Sequence, residues 1–214
     1  MKEFIIGEND SGQRLERFVL KVAPHLPKGL LFKFLRTKKI KCNGKRCEAS
    51  QLLEAGDQLR LFLPDSFFES KTEKDQYDFL CAPNQIQVLY EDTNILIVDK
   101  PVGLVVHTDD NHTKDTLIHR IQHYLYQEKA YIPEQEHAFA PALCNRLDRN
   151  TSGIVIAAKT ALGLREMNQM IREDRVQKVY LCVAVGKFQK QSDTLYGYHK
   201  KMERTQKVVI QKEP

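Results

Sequence analysis

Apolar residues recur at helical spacing in two stretches near the start of the chain. The first set is Leu15, Phe18, Val19 and Val22, and the second is Leu30, Leu31, Phe34 and Leu35. Such sets form the buried face of an amphipathic helix. Asn43–Gly44, between two short runs, is typical of a tight hairpin turn, and the alternating segment 58–62 predicts a strand. We therefore predict a small unit of two helices and short strands over residues 1–63.

Residues 64–84 show no convincing period and are rich in Asp, Glu, Lys and Ser, so we interpret them as a linker. Beyond them, residues 85–214 form a second predicted domain. Its predicted strands are 88–90, 95–98, 153–158 and 179–185, and its predicted helices are 116–126 and 161–173. Strands and helices in this irregular order, without regular β-α-β alternation, favour an α+β fold. We expect a mixed, mostly antiparallel sheet with flanking helices.

Basic residues are concentrated in the N-terminal unit. The whole chain has a net charge of +5, but the segment from Lys28 to Arg46 contains eight Lys or Arg and no Asp or Glu. A basic block of this kind is typical of a phosphate-binding surface. The alternative interpretation is a solvated surface that binds no ligand. The candidate RNA-binding residues here are Lys33, Arg36, Lys38, Lys39, Lys41, Lys45 and Arg46.

Several classes of function have no support in the sequence. The five cysteines contain no CxxC pair, which favours reduced thiols and a cytoplasmic protein. We expect no signal peptide, no membrane span and no nucleotide cofactor, because no glycine-rich phosphate loop occurs. His119 and His123 have a spacing that can bind metal, but no third ligand is obvious, so we predict no metal site.

The segment 145–153 carries the candidate chemistry. It reads Asn-Arg-Leu-Asp-Arg-Asn-Thr-Ser-Gly and directly precedes an apolar strand. Polar loops on rigid strands often hold catalytic groups. Arg146 and Arg149 would favour the ionised form of Asp148, and an ionised carboxylate can be a nucleophile. From the residues alone, the favoured interpretation is an ordinary turn, whose Asp and Ser bond local backbone.

This segment closely resembles the catalytic motif of the RluA-type pseudouridine synthases. Residues 88–107 resemble the first motif of that family, and residues 176–186 resemble its third. Residues 13–60 are similar to the alpha-L RNA-binding domain that often precedes the catalytic domain. The resemblance covers nearly the whole chain and implies an RNA pseudouridine synthase that isomerises uridine in structured RNA.

The resemblance also implies roles for individual residues. Asp148 would be the nucleophile, Arg146 would help displace the target base from its stack, and Tyr180 would stack on the uracil. Lys178 and Arg149 would be cations that contact the RNA. No cofactor or metal is implied, the RNA partner is expected to be ribosomal, and a monomer is expected.

Two features depart from the family pattern. Asn145 stands where the family commonly has His, and the chain ends without the usual Gly-Arg-x-His-Gln stretch. We therefore expect a truncated synthase domain. The alternative is a non-catalytic RNA-binding protein with such a domain, and a small-molecule nucleosidase is a weaker rival that would not use the basic block.

Overall fold

Two helices and a four-stranded antiparallel sheet form the N-terminal part of the chain, as the apolar spacing predicts. The computed structural model describes residues 1–68, 77–108, 113–201 and 208–211. The helices are α1 (Leu15–Val22) and α2 (Lys28–Arg36). The strands are β1 (Lys2–Ile5), β2 (Ile40–Cys42), β3 (Lys45–Arg46) and β4 (Gln58–Leu61), in the order β1-β4-β2-β3. β1 was not predicted.

The turn between β2 and β3 shows why the sequence folds this way. Asn43 and Gly44 have φ angles of 51° and 74°, the left-handed region that Asn and Gly tolerate best. The Asn43 side chain also accepts a hydrogen bond from the Gln58 backbone N–H at 2.9 Å and donates to Asp57 at 2.7 Å. The hairpin is thereby fixed to the beginning of β4 and holds Lys45 and Arg46 at the surface.

A second antiparallel sheet lies in the following part of the chain. Its strands are β5 (Gln87–Glu91), β6 (Ile95–Lys100), β7 (Ala142–Leu143) and β8 (Gly153–Ala158), in the order β5-β6-β8-β7. The helices are α3 (Leu117–Gln127) and α4 (Ala161–Arg172). Thr116 and Thr160 cap them by accepting hydrogen bonds from the His119 and Gly163 N–H groups. The predicted α+β class with mostly antiparallel pairing is confirmed.

Two hydrophobic clusters stabilise these sheets. The first joins buried residues between Ile6 and Phe68, and the second joins buried residues between Leu96 and Ala157. In the second cluster Leu96 and Val98 of β6 and Val155 of β8 pack with α3. This rigid layer carries the loops that leave the ends of β6 and β7.

Polar contacts join the N-terminal part to the second sheet region. Asn9 Nδ2 donates to Glu136 Oε1 at 2.7 Å, and Lys21 Nζ donates to the Ala138 carbonyl at 2.9 Å. Arg165 of α4 donates to the Ser11 carbonyl at 2.9 Å. Residues Met1–Val176 accordingly form one compact unit.

The predicted linker has ordered ends. Phe68 and Phe79 are buried at 5% and 3% exposure, next to short 3-10 helices at Asp65–Phe67 and Asp78–Cys81. Residues 69–76 lie outside the described residues. The domain ranges 1–63, 64–84 and 85–214 stay predictions.

The other compact unit, Gln177–Pro214, contains β9 (Tyr198–Lys201) and β10 (Val208–Gln211), an antiparallel pair. The predicted strand 179–185 is wrong, since these residues form no regular element. Leu181, Val183 and Val185 are almost completely exposed. A β-strand needs a neighbouring strand to satisfy its backbone N–H and C=O groups, and no strand in the described ranges pairs with residues 179–185.

None of the described helices is long and apolar enough to cross a membrane.

Candidate active site

The loop that carries Asp148 connects the adjacent strands β7 and β8. At its base, Cys144 N–H donates to the Ile156 carbonyl at 2.8 Å. The Asn145 amide continues the ladder, because Nδ2 donates to the Ile154 carbonyl at 3.2 Å and Oδ1 accepts from Ile156 N–H at 2.8 Å. Asn145, which differs from the usual family residue, therefore ties the loop to β8.

The middle of the loop is anchored by one apolar side chain. Leu147 is 8% exposed and belongs to the second hydrophobic cluster, whereas Arg146, Asp148 and Arg149 on either side are exposed. Gly153 ends the loop with a φ of 124°, a backbone conformation that residues with a Cβ rarely adopt. Burying Leu147 thus turns the carboxylate and its two flanking guanidinium groups outward.

Lys100, at the end of β6, holds the backbone of this loop. Its side chain is completely buried. Nζ donates to the carbonyls of Pro101, Leu104 and Arg149 at 3.0, 2.8 and 3.1 Å. Burial lowers the pKa of Lys100, and the charge of Asp148 partly offsets that shift. The Arg149 carbonyl also accepts from Gly103 N–H at 2.8 Å, so the loop after β6 and the Asp148 loop are fixed to each other.

Asp148 lines an open cleft of about 410 Å³. The cleft is bounded by residues 105–108 on one side and 146–149 on the other. The pKa of His107 is lowered by burial and by the positive charges of Arg146 and His119. Burial raises the pKa of the nearby Cys144 thiol to about 11, so that thiol stays neutral at pH 7 and is a poor nucleophile. Asp148 is therefore an exposed carboxylate that lines the cleft.

Comparison with known proteins assigns the chain to a family. A model described as RNA pseudouridylate synthase matches residues 94–214, more than half of the 214 residues. The chain belongs to this family. This agrees with the resemblance in the sequence of the Asp148 loop.

Individual relatives agree with the family match. An uncharacterized RNA pseudouridine synthase of Mycoplasma genitalium is 30% identical over 187 residues, covering 87% of this chain and 57% of that protein. The ribosomal large subunit pseudouridine synthase C of Escherichia coli (strain K12) is 31% identical over 191 residues, covering 88% and 56%. The chain thus spans about half the length of the curated relatives it matches.

The predicted RNA-binding residues of the N-terminal part lie on α2, in the connection from α2 to β2, and on the β2–β3 hairpin. All are exposed except Lys41, which is half-buried. Lys39 and Lys41 lie over the rings of Phe34 and Phe62, with Nζ 5.4 and 5.7 Å from the ring centres. None of the seven forms an ion pair with a carboxylate of the described residues. Their charges are therefore available to phosphates, and their role in RNA binding stays a prediction.

Tyr180 and Lys178 belong to the unit Gln177–Pro214, and Tyr180 is 62% exposed. Their predicted roles stay predictions.

His119 and His123 have structural explanations: each Nδ1 lies 2.7 Å from a backbone carbonyl oxygen, that of Lys114 for His119 and that of Ala82 for His123. Among the described residues, no group of three His, Cys, Asp or Glu side chains could hold a metal ion.

Lys100 lies in the segment 88–107 that resembles the first motif of the family, but the sequence predicted no role for it. A lysine at a strand end usually points to solvent, and its three carbonyl acceptors come from two separate loops. The following Pro101-Val102-Gly103 turn is the one local signal, because a tight turn directs carbonyl groups back toward the strand end.

Proposed function

We propose that this protein is an RNA pseudouridine synthase that isomerises uridine in structured ribosomal RNA, with Asp148 as the nucleophile. The observation that carries the proposal is the exposed carboxylate in an open cleft, held by a loop whose backbone is fixed by Lys100 and Leu147. The relatives named as ribosomal large subunit synthases support the choice of RNA. We further propose that it acts in the cytoplasm, as a monomer and without a nucleotide cofactor.

The reaction needs the Asp148 carboxylate to add to the target nucleoside, at the ribose anomeric carbon or at the uracil ring. The bond between N1 and the ribose then breaks. The base rotates, its C5 forms the new bond to the ribose, and the carboxylate is released. C5 loses its proton and N1 gains one. Atoms are conserved overall, so no group donor is required.

The target uridine must leave its stack before the carboxylate can reach it, which costs a few kcal/mol. Arg146 is exposed on the same cleft as Asp148, and a planar guanidinium can occupy the vacated stack. Tyr180 is proposed to stack on the uracil, with Lys178 and Arg149 contacting phosphates. The basic residues of α2 and the β2–β3 hairpin are proposed to dock the surrounding RNA through its phosphates.

The test is incubation of the protein with uridine-containing ribosomal RNA, followed by mapping of pseudouridine. Wild type should form product and Asp148→Asn should form none. Asp174→Asn is a matched control, because Asp174 is exposed and has a φ of 51°, which Asn tolerates. Equal product from wild type and Asp148→Asn would refute the nucleophile. RNA binding without product from wild type would select the non-catalytic alternative.

A further inference from the structure

A second, larger groove lies between the N-terminal part and the region around α3. Its volume is about 1010 Å³, at the upper end of the range for small-molecule sites. Its lining includes Lys21, Phe79, His107, His119, Tyr131 and His137. All of these residues belong to the single unit Met1–Val176, so the structure defines their arrangement.

The groove adjoins the Asp148 cleft, because His107 and Thr108 line both of them. A chain molecule whose reacting nucleotide occupies the cleft can therefore reach the groove over this shared rim. A compact small molecule would use only one of the two spaces, so their adjacency favours a polymer.

Lys21 of α1 supplies positive charge inside the groove, and Arg146 supplies it in the adjoining cleft. The Lys21 charge interacts with Arg17, one turn earlier on α1, and with the carboxylate of Asp10. At the shared rim, burial and the positive charges of Arg146 and His119 lower the pKa of His107. Lys21 Nζ uses one donor on the Ala138 carbonyl, and an ammonium group has three.

The acidic side chains in the groove are already engaged. Asp78 pairs with Lys114 at 3.0 Å. Glu136 accepts a hydrogen bond from Asn9 at 2.7 Å, and burial raises the pKa of its carboxyl group. Both features reduce the repulsion that an anionic ligand would meet.

The groove also offers surfaces for bases. Tyr131 is half-buried, and its ring lies 5.9 Å from that of Phe79. The His119 ring is oriented by the contact of its Nδ1 with the Lys114 carbonyl. Cations beside oriented rings form the combination that binds single-stranded nucleic acid with little sequence preference.

We propose that this groove holds the single-stranded RNA segment adjoining the target nucleotide, with Lys21 on its phosphates and His119 and Tyr131 beside its bases. The proposal deepens the proposed function and rests on it. It adds an RNA contact at Lys21, near the end of α1, distinct from the predicted RNA-binding residues between Lys33 and Arg46.

The first test measures binding of a labelled single-stranded oligouridylate at several salt concentrations. A phosphate contact to single-stranded nucleic acid contributes about 0.7 to the slope of log affinity against log salt. Lys21→Gln should lower the slope by about that amount and weaken binding roughly three- to tenfold at low salt. Lys129→Gln makes the same charge change at an exposed position outside the groove and should leave both values unchanged.

The second test maps photo-crosslinks from oligouridylate containing 4-thiouridine, with Asp148→Asn protein so that turnover plays no part. Crosslinks in peptides containing His107, His119 or Tyr131 support the groove, and they do so even if Lys21→Gln fails to fold. Crosslinks confined to other regions, or equal slopes for Lys21→Gln and wild type, overturn it. Because neither test needs product, the groove is judged separately from catalysis. Product without groove crosslinks would refute the groove alone.

Discussion

Replacing Lys100 by Met tests how the backbone of the Asp148 loop is held. Methionine has a similar length but cannot donate to the carbonyls of Pro101, Leu104 and Arg149. Hydrogen bonds from a charged donor contribute about 1.5–3 kcal/mol each, so three contribute roughly 4.5–9 kcal/mol. Removing a buried ammonium group returns several kcal/mol of desolvation. We expect a net loss of about 2–5 kcal/mol in the free energy of unfolding.

Thermal unfolding gives the measurement. For a chain of this size each kcal/mol changes the melting temperature by roughly 2–4 °C, so Lys100→Met should melt about 4–20 °C below wild type. Lys129→Met, at an exposed position, is the control and should change the free energy by less than about 0.5 kcal/mol.

Hydrogen exchange reports on the loop itself. Gly103 N–H donates to the same Arg149 carbonyl that Lys100 contacts, so its exchange should be faster in Lys100→Met. Equal melting temperatures for Lys100→Met and Lys129→Met would refute this prediction. So would an exchange rate of Gly103 N–H in Lys100→Met that is as slow as in wild type.

Three further predictions concern other parts of the chain. A Cβ at Gly163 would lie 2.5 Å from the Asn94 carbonyl oxygen, so Gly163→Ala should cost about 1–3 kcal/mol by denaturant unfolding. Gly29→Ala, in open space on α2, should instead gain roughly 0.5–1 kcal/mol. The raised pKa of Glu136 means that the folded state binds the proton more tightly, so wild-type stability falls as pH rises from the ordinary value through the raised one. Glu136→Gln cannot ionise and lacks this loss, so its melting temperature should rise relative to that of wild type as the pH increases through this range. Melting temperatures that change with pH by the same amount in both proteins would contradict the prediction. Replacing Lys38, Lys39 and Lys41 together by Ala should lower the salt slope of structured-RNA binding by up to about 2–3, and an unchanged slope would exclude them from docking.

Local patterns predicted most of the regular elements. The apolar spacing of α1 to α4 and the uniform apolar run of β8 are properties of consecutive residues, and the structure has these elements close to the predicted bounds. The Asn43–Gly44 turn could also be predicted from the sequence, because a tight turn of this kind needs positive φ angles and few residue types adopt them.

Elements that depend on distant partners were harder to predict. β1 (Lys2–Ile5) has mostly exposed side chains and is defined by its pairing with β4. Residues 179–185 show the opposite error, since a strongly apolar run predicted a strand that forms no pairing in the described ranges. The function of Lys100 depends on carbonyls at positions 101, 104 and 149, which sequence spacing does not bring together.

The Asp148 loop keeps its shape through groups that do not line the cleft with their side chains. Leu147 points into the core, Asn145 bonds to β8, and the Arg149 carbonyl is held by main-chain and lysine donors. The exposed side chains at positions 146 and 150 can therefore be exchanged without moving the Asp148 carboxylate. If the proposed function holds, such exchanges would change the contacts to the RNA and leave the proposed nucleophile in place.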